Sequence, residues 1–295
     1  MKEPSQNEDT AKKVHIQTFG CQMNEYDADK MLAVLRHENY FHTNFLEDAD
    51  LIILNTCSIR EKAENRVFSE LGRLRKLKSV NPELKIGVGG CVAQQEGESI
   101  LLREANVDFV FGTDNLFELP EILNKVSQGQ KISQTERHPR QKVRNFIPDY
   151  TFQQARHFGI KAHLTITKGC NNHCSFCVVP ITRGPEVSRE PEDILAEAQQ
   201  LISVGTKEIC LLGQNVNSYK ANGVDFVELL HRLDKLENLE RLRFISPHPK
   251  DFHAVLADAF VTLPSLCEHL HLPLQSGSDR ILRGMRRWYT METFY

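Results

Sequence analysis

No apolar run in the 295 residues approaches the roughly 18 needed to cross a bilayer. The first dozen residues, Met1 to Lys12, are polar and lack the apolar core of a signal peptide. Net charge is only −3, so nothing pulls the whole chain toward nucleic acid, and any RNA contact must come from local patches. These absences predict a cytoplasmic protein without membrane contact, in which thiols stay reduced and clustered cysteines read as metal-binding or catalytic. A hydrophobic fraction of 40% and a charged fraction of 25% are ordinary for a globular chain of about two domains.

What the chain does have is cysteine in threes. Cys170, Cys174 and Cys177 are packed into one short loop, whereas Cys21, Cys57 and Cys91 stand 36 and 34 residues apart. A closed structural metal site takes four protein ligands, and a reactive one keeps a position open. Two sets of three therefore suggest two metal clusters, each with an open corner. The tight loop suits an iron–sulfur cluster held by thiolates. The alternatives are a zinc knuckle with His173 as fourth ligand or a chance cluster. Taken singly, each of the dispersed cysteines reads as a buried inert thiol. Cys210 and Cys267 lie in or beside predicted strands and read as structural.

The dispersed set gains meaning from its context. Val14–Phe19, Leu51–Leu54 and Lys85–Val88 read as strands, and a cysteine follows each of them before a helix begins. A fourth strand is expected at Asp108–Phe111, with a helix from Leu116 to Val126. Strands alternating with helices predict a parallel sheet. The carboxyl ends of its strands share one edge, where open α/β sheets place ligands, so the three cysteines can converge there. Helix N-termini opening just after them would lower the thiolate pKa. The run Gly87-Val88-Gly89-Gly90-Cys91 is no dinucleotide fingerprint, because Val92 stands where the third glycine belongs.

From 128 to 159 the sequence turns polar and basic, with Pro139 and Pro148, and reads as an interdomain linker with room for a local strand or two. A second alternation follows: strands at Ala162–Thr167, Glu208–Leu212, Arg241–Ser246 and Glu268–Leu274. The helices expected between and after them are Pro191–Val204, Val224–Leu236, one ending near Val261, and a short one from Asp279. Four such units do not close a barrel. The expected class is thus α/β, with domains at 13–127 and 160–295, the second an incomplete (βα) barrel.

The loop Gly169-Cys170-Asn171-Asn172-His173-Cys174-Ser175-Phe176-Cys177 resembles the CxxxCxxC signature of the radical S-adenosylmethionine enzymes. Its flanks through Val178-Val179-Pro180 and Arg183 to Arg189 are similar to the methylthiotransferase branch. Asn55-Thr56-Cys57-Ser58-Ile59-Arg60, Gly90-Cys91-Val92-Ala93-Gln94-Gln95-Glu96, Leu212-Gly213-Gln214-Asn215-Val216-Asn217 and His271-Leu272-Pro273-Leu274-Gln275-Ser276-Gly277 match the members that act on tRNA. The resemblance implies an N-terminal methylthiotransferase domain ahead of a radical S-adenosylmethionine domain that lacks its last strands. The resemblance also implies a small C-terminal RNA-binding β-barrel domain in the family, which these 295 residues do not include. It implies one [4Fe–4S] cluster on Cys170, Cys174 and Cys177, whose open iron takes S-adenosylmethionine and yields a 5′-deoxyadenosyl radical. A second, auxiliary [4Fe–4S] cluster on Cys21, Cys57 and Cys91 would hold the sulfur to be inserted.

The implied activity is addition of a methylthio group to C2 of an isopentenyl (dimethylallyl) adenosine at tRNA position 37. The Ser58-Ile59-Arg60 and Gln94-Gln95-Glu96 runs favour this over the branch that modifies threonylcarbamoyladenosine or a ribosomal protein. A catalytically incomplete iron–sulfur-binding fragment is the alternative from another class. Implied partners are the tRNA anticodon loop, an electron donor such as a flavodoxin or ferredoxin, and iron–sulfur assembly proteins, with the chain a monomer. Phe176 is expected near the cofactor's adenine. Arg189, Gln214, Asn215, Ser246 and His271, with Gln275, Arg183 and Glu186 beside them, are the further candidates for cofactor or substrate contact. Arg73, Arg75, Lys76 and Lys78 on a helix, and Arg137, Arg140, Lys142 and Arg144 after it, offer phosphate contacts or simply a solvated basic face.

Overall fold

The computed structural model describes residues 11–58, 61–139 and 159–295, with only the backbone of 61–64. It divides into two compact units, Met1–His138 and Pro139–Tyr295. The sequence around Ile59 and Arg60, and Arg140, Lys142 and Arg144, lie outside the described residues.

The first unit is one parallel sheet of strands β1 (Lys12–Thr18), β2 (Tyr40–His42), β3 (Leu51–Thr56), β4 (Lys85–Gly90), β5 (Phe109–Phe111) and β6 (Ile132–Gln134). Their order is β2-β1-β3-β4-β5-β6. Helices α1 (Gln22–His37), α2 (Glu61–Val80), α3 (Cys91–Glu96), α4 (Glu98–Arg103) and α5 (Leu119–Ser127) make the crossovers. All six residues of β3 are buried, as expected of a continuous apolar strand covered on both faces. Ile52, Leu54, Ile86, Val88 and Val110 form one core with Val67, Leu71 and Leu74 of α2. Strand alternation sends Leu51, Ile53, Phe109 and Phe111 to the other face.

Two strands were not legible from periodicity. β2 has three residues, too few for a pattern, and follows a turn with Asn39 at φ +63°. β6 lies inside the stretch read as linker and pairs with β5, so the first sheet runs on past residue 127. The consequence of β2 is topological. The chain winds outward from β1 to β2 and then back across to β3, which makes the β1/β3 boundary the switch point where doubly wound sheets bind ligands.

The glycines of β4 are packing devices. A Cβ at Gly87 would stand 2.2 Å from the Phe109 ring, and one at Gly89 2.2 Å from the Phe111 ring. The two rings stack at 6.0 Å across the space so freed. Gly89→Ala is expected to destabilise the unit by about 1–3 kcal/mol through overpacking. Gly72→Ala in α2, where a Cβ meets nothing within 4 Å, should instead stabilise by about 0.5–1 kcal/mol. Thermal unfolding midpoints moving in opposite directions check both.

In the second unit β7 (Lys161–Thr165), β10 (Glu208–Leu212) and β13 (Arg241–Phe244) form a parallel sheet in the order β13-β10-β7. Helices α7 (Pro191–Ser203), α8 (Phe226–Asp234) and α9 (Ala254–Thr262) follow the three strands. Each new strand adds outside the last, as in the wall of a βα barrel. The core joins Leu164, Ile209, Leu211, Leu242 and Phe244 to Ile194, Ala198, Leu229, Leu233 and Leu256. Two short pairs flank it: β8 (Thr167–Lys168) with β9 (Val187–Ser188), and β11 (Lys220–Ala221) with β12 (Val224–Asp225). Short helices α6 (Val179–Thr182), α10 (Asp279–Gly284) and α11 (Met291–Phe294) complete the unit.

Two expectations need correction here. The helix expected from Val224 starts at Phe226, because Asp225 ends a hairpin and caps the helix, its Oδ1 accepting from the Glu228 amide at 2.9 Å. The strand expected at Glu268–Leu274 does not form. One parallel bridge joins Leu242 to Leu266, and the Cys267 amide still bonds to Leu242 O at 2.9 Å. The His269 amide then bonds back to Cys267 O at 2.6 Å, a tight turn that bends the chain off β13.

Candidate functional site

The dispersed cysteines occupy one sheet edge of the first unit. Cys57 follows β3 and is 3% exposed. Cys91 follows β4 as the first residue of α3, and Thr56 and Gly90, the residues before them, are register partners. Cys21 caps α1 after β1, its carbonyl accepting from the Asn24 and Glu25 amides. Adjacent strands stand about 4.8 Å apart, so three neighbouring strand ends bring the three cysteines to one place. Gly20, at φ +145°, lies so close that a Cβ there would be 2.3 Å from Cys57 Cβ. That contact joins the Cys21 turn directly to Cys57.

Side chains lock this edge. Asn24 Nδ2 donates to Thr56 O at 2.7 Å, and Asn55 Nδ2 to Asn24 O at 2.6 Å. Thr56 Oγ1 donates to Gly89 O at 2.6 Å and accepts from the Val92 amide at 3.1 Å. Asn24, Asn55 and Thr56 are thus the positioning residues that sequence reasoning did not single out. Gln94 is equally structural, donating to Thr135 O at 2.7 Å and accepting from the Thr113 amide at 3.1 Å.

The compact set lies at the sheet edge of the second unit, where β8 leads into the loop. Gly169 (φ +82°) touches the returning chain: a Cβ there would be 2.3 Å from Pro185 O. Its amide donates to Gln214 Oε1 at 2.5 Å, and the Cys170 amide donates to Gly184 O at 3.0 Å. Cys170 and Cys174 are buried, and Cys177 is half-buried. Burial, with further contributions from Glu186 and the other two thiols, pushes Cys170 up to about 11. Burial also raises Cys177, with Cys174 adding to the shift. Cys170 and Cys177 thus ionise readily only beside a compensating metal cation, and three cysteine sulfurs in one short loop are a donor set that fits an iron–sulfur cluster. Among the described residues no three His, Cys, Asp or Glu side chains close on a single ion. His173, the fourth ligand of the zinc alternative, is exposed.

The other candidates are spread around this loop. Gln214 anchors it, as described. Asn215 is 2% exposed, its Nδ2 on Asp251 Oδ2 at 2.7 Å and its Oδ1 without a partner. Arg189 is engaged beneath the loop, with Nη1 on Glu197 Oε2 at 2.6 Å and on Thr165 O at 2.8 Å. Glu186 accepts from Ser218 Oγ at 2.8 Å, and burial raises its pKa. Phe176 is 55% exposed. Arg183 is buried, and Ser246, His271 and Gln275 are exposed. Thr167 Oγ1 and Asn172 Nδ2 are buried without partners beside the loop.

Sequence reasoning missed His248 and Arg287. Arg287 Nη1 donates to Cys174 Sγ at 3.4 Å, and no local motif announces a contact 113 residues away. His248 Nδ1 accepts from the Lys250 amide at 3.2 Å, which puts the proton on Nε2, a buried N–H with no partner. Burial, with the charges of Arg287 and Lys250 behind it, pushes His248 down to about 3. The unfolded imidazole takes a proton near pH 6.5 and the folded one does not. Stability from this group is therefore complete above about pH 6.5 and is lost on acidification toward 3, by up to about 1.4 kcal/mol per pH unit. His248→Gln is expected to flatten the acid limb of a stability–pH profile in that window.

Cys210 is mid-strand in β10 and 3% exposed, and its burial pushes it up to about 11. It is an inert packing thiol. The basic helix α2 is largely neutralised: Arg73 pairs with Glu70 at 2.6 Å, Arg75 with Glu104 at 3.0 Å, and Lys78 with Asp108. No helix is long and apolar enough to cross a membrane among the described residues.

The family described as "Uncharacterized protein family UPF0004" matches residues 13–112, and the "Radical SAM superfamily" matches residues 164–295. The tRNA-2-methylthio-N(6)-dimethylallyladenosine synthases of Janthinobacterium sp. (strain Marseille) and Herminiimonas arsenicoxydans are 50% and 48% identical over 285 residues. Each match covers 95% of this chain and 63% of the relative, so the chain spans less than two thirds of their length. Among solved structures, the radical S-adenosylmethionine methyltransferase TsrM from Kitasatospora setae matches with a TM-score of 0.66 at 14% identity, over 96% of this chain and 64% of its own. The cobalamin-dependent S-adenosylmethionine radical enzyme OxsB gives 0.64 at 15%, over 97% and 47%. At such identities these likenesses speak for the fold alone. With a UPF0004 region carrying one set of three cysteines and the CxxxCxxC loop opening the next sheet, the chain carries a UPF0004 domain followed by a domain of the radical SAM superfamily.

Proposed function

We propose that the chain is the two-cluster part of a tRNA methylthiotransferase that adds a methylthio group to C2 of dimethylallyladenosine at tRNA position 37. The observation that carries this is the pair of three-thiol sets, each at the carboxyl edge of its own parallel sheet. Cys170, Cys174 and Cys177 would hold a [4Fe–4S] cluster, and Cys21, Cys57 and Cys91 an auxiliary one. When bound, the clusters and S-adenosylmethionine supply the electron, the radical and the sulfur that insertion at an unactivated ring carbon requires.

The protein's own part is placement. Gln214 fixes the start of the radical loop through the Gly169 amide. Thr167 Oγ1 and Asn215 Oδ1, as acceptors, and Asn172 Nδ2 and His248 Nε2–H, as donors, are buried groups still lacking partners. Such groups suit the ammonium, carboxylate and ribose of the cofactor, since buried polar atoms are normally satisfied. Phe176 is exposed beside the last cysteine, where its ring would cover the adenine. Ser246 and His271 would face the substrate side, while Arg189, through Glu197 and Thr165, supports the strand below. The partners of this reading are the tRNA anticodon loop, a flavodoxin- or ferredoxin-type electron donor and iron–sulfur assembly proteins, with a cytoplasmic monomer.

The test is a comparison of tRNA nucleosides from cells with and without the gene. Loss of 2-methylthio-dimethylallyladenosine, with accumulation of dimethylallyladenosine, is expected. Loss of a methylthio mark from threonylcarbamoyladenosine or from a ribosomal protein alone would reject the assignment.

A further inference from the structure

Arg287 reaches the cysteine loop from a segment 113 residues downstream. It is 5% exposed. Its Nη1 lies on Cys174 Sγ at 3.4 Å and its Nη2 on Pro273 O at 3.3 Å. No carboxylate of the described residues pairs with it. A buried guanidinium without a counter-charge is costly, and the Cys174 sulfur it reaches would become anionic on holding a cluster.

The backbone that delivers it is held in an unusual conformation. Arg286 and Trp288, on either side, sit at φ +56° and +59°, a region that bulky L-residues rarely adopt. The segment is tied down at both ends. The Ser175 amide donates to Met285 O at 3.1 Å, and the Arg287 amide to Leu282 O at 3.0 Å. The Tyr289 hydroxyl bonds to Leu274 O, and its ring faces the guanidinium at 5.5 Å. Strain kept by such over-determination marks a placed residue.

We infer that Arg287 sets the reduction potential of the cluster on Cys170, Cys174 and Cys177, by donating an N–H to Cys174 Sγ and by fixing a buried positive charge beside an anionic centre. The inference rests on the cluster assignment made above. Reduction adds one electron from an external reductant, breaks no bond and makes the centre more negative. The N–H···S bond and the fixed cation therefore favour the reduced form and raise the potential.

The full chain, reconstituted anaerobically with iron and sulfide, is titrated with dithionite and mediators while the reduced-cluster signal is followed by electron paramagnetic resonance. The signal that shifts on addition of S-adenosylmethionine belongs to this cluster. At the potential where the unsubstituted cluster is half reduced, Arg287→Met is expected to lower the reduced-to-oxidised ratio at least tenfold, about 59 mV for one electron. Arg287→Lys, which restores a charge and a donor, should recover more than half of that shift. An unchanged midpoint in Arg287→Met with its iron retained overturns the inference. Loss of this cluster's iron in both variants also overturns it, since Arg287 would then be needed for assembly and not for tuning. If the unsubstituted chain gives no signal that responds to S-adenosylmethionine, the cluster assignment itself fails.

Discussion

Cys170→Ala is expected to reduce S-adenosylmethionine cleavage to background and to remove about four of about eight irons from the reconstituted chain. A cluster held by three thiolates keeps one iron open for the cofactor. With one thiolate removed, a second iron loses its protein ligand. Cys170 is held in place, 8% exposed, with its sulfur accepting from the Asn172 amide at 3.5 Å and its own amide on Gly184 O. The backbone bond to Gly184 survives the substitution, so loss of the loop's fold is not the expected cause. Cys210→Ala is the matching control: a buried thiol in β10, outside both sets, should leave iron content and cleavage unchanged. Normal cleavage in Cys170→Ala would reject the loop as the radical centre.

Cys57→Ala is expected to give the opposite split. The loop around Cys170 is built within the second unit, from β8, β9, Gln214 and Arg287. Cys57 belongs to the first unit, beneath Gly20 and beside the Asn24–Asn55–Thr56 network. Its loss should remove about four irons and stop methylthio insertion, while cleavage of S-adenosylmethionine to 5′-deoxyadenosine continues. Quantifying 5′-deoxyadenosine and 2-methylthio-dimethylallyladenosine in the same reaction measures both halves. Equal loss of cleavage in Cys57→Ala and Cys170→Ala would contradict the division of labour.

The six cysteines were legible because local pattern sufficed to place them. Leu51–Leu54 is too uniformly apolar to be anything but a buried strand, and a cysteine just past a parallel strand falls on the ligand edge whatever the neighbouring strands are. The order of those strands was not legible. β2 is three residues long, and without it the switch point between β1 and β3 does not appear. The strand expected at Glu268–Leu274 failed for a related reason: apolar alternation cannot report a turn that pulls the chain away from its neighbour. Groups acting at long range were invisible. Arg287 lies in a run of two arginines, and nothing in its surroundings indicates Cys174. Asn24 and Asn55 look like ordinary helix and strand-end residues until the sheet brings them together. The pairing of Arg189 with Glu197 is of the same kind, since neither side chain's burial can be read from an alternation of charged and apolar residues.

The central claim is that two separate three-thiol sets hold two clusters and that only one of them cleaves the cofactor. Anaerobic reconstitution of the full chain, with iron and sulfide counted and cleavage of S-adenosylmethionine assayed in the same sample, tests it most directly. About eight irons and eight sulfides per chain with cleavage are predicted, falling to about four irons with cleavage retained when Cys21, Cys57 and Cys91 are all replaced by alanine. A single zinc per chain with no cleavage would contradict both clusters.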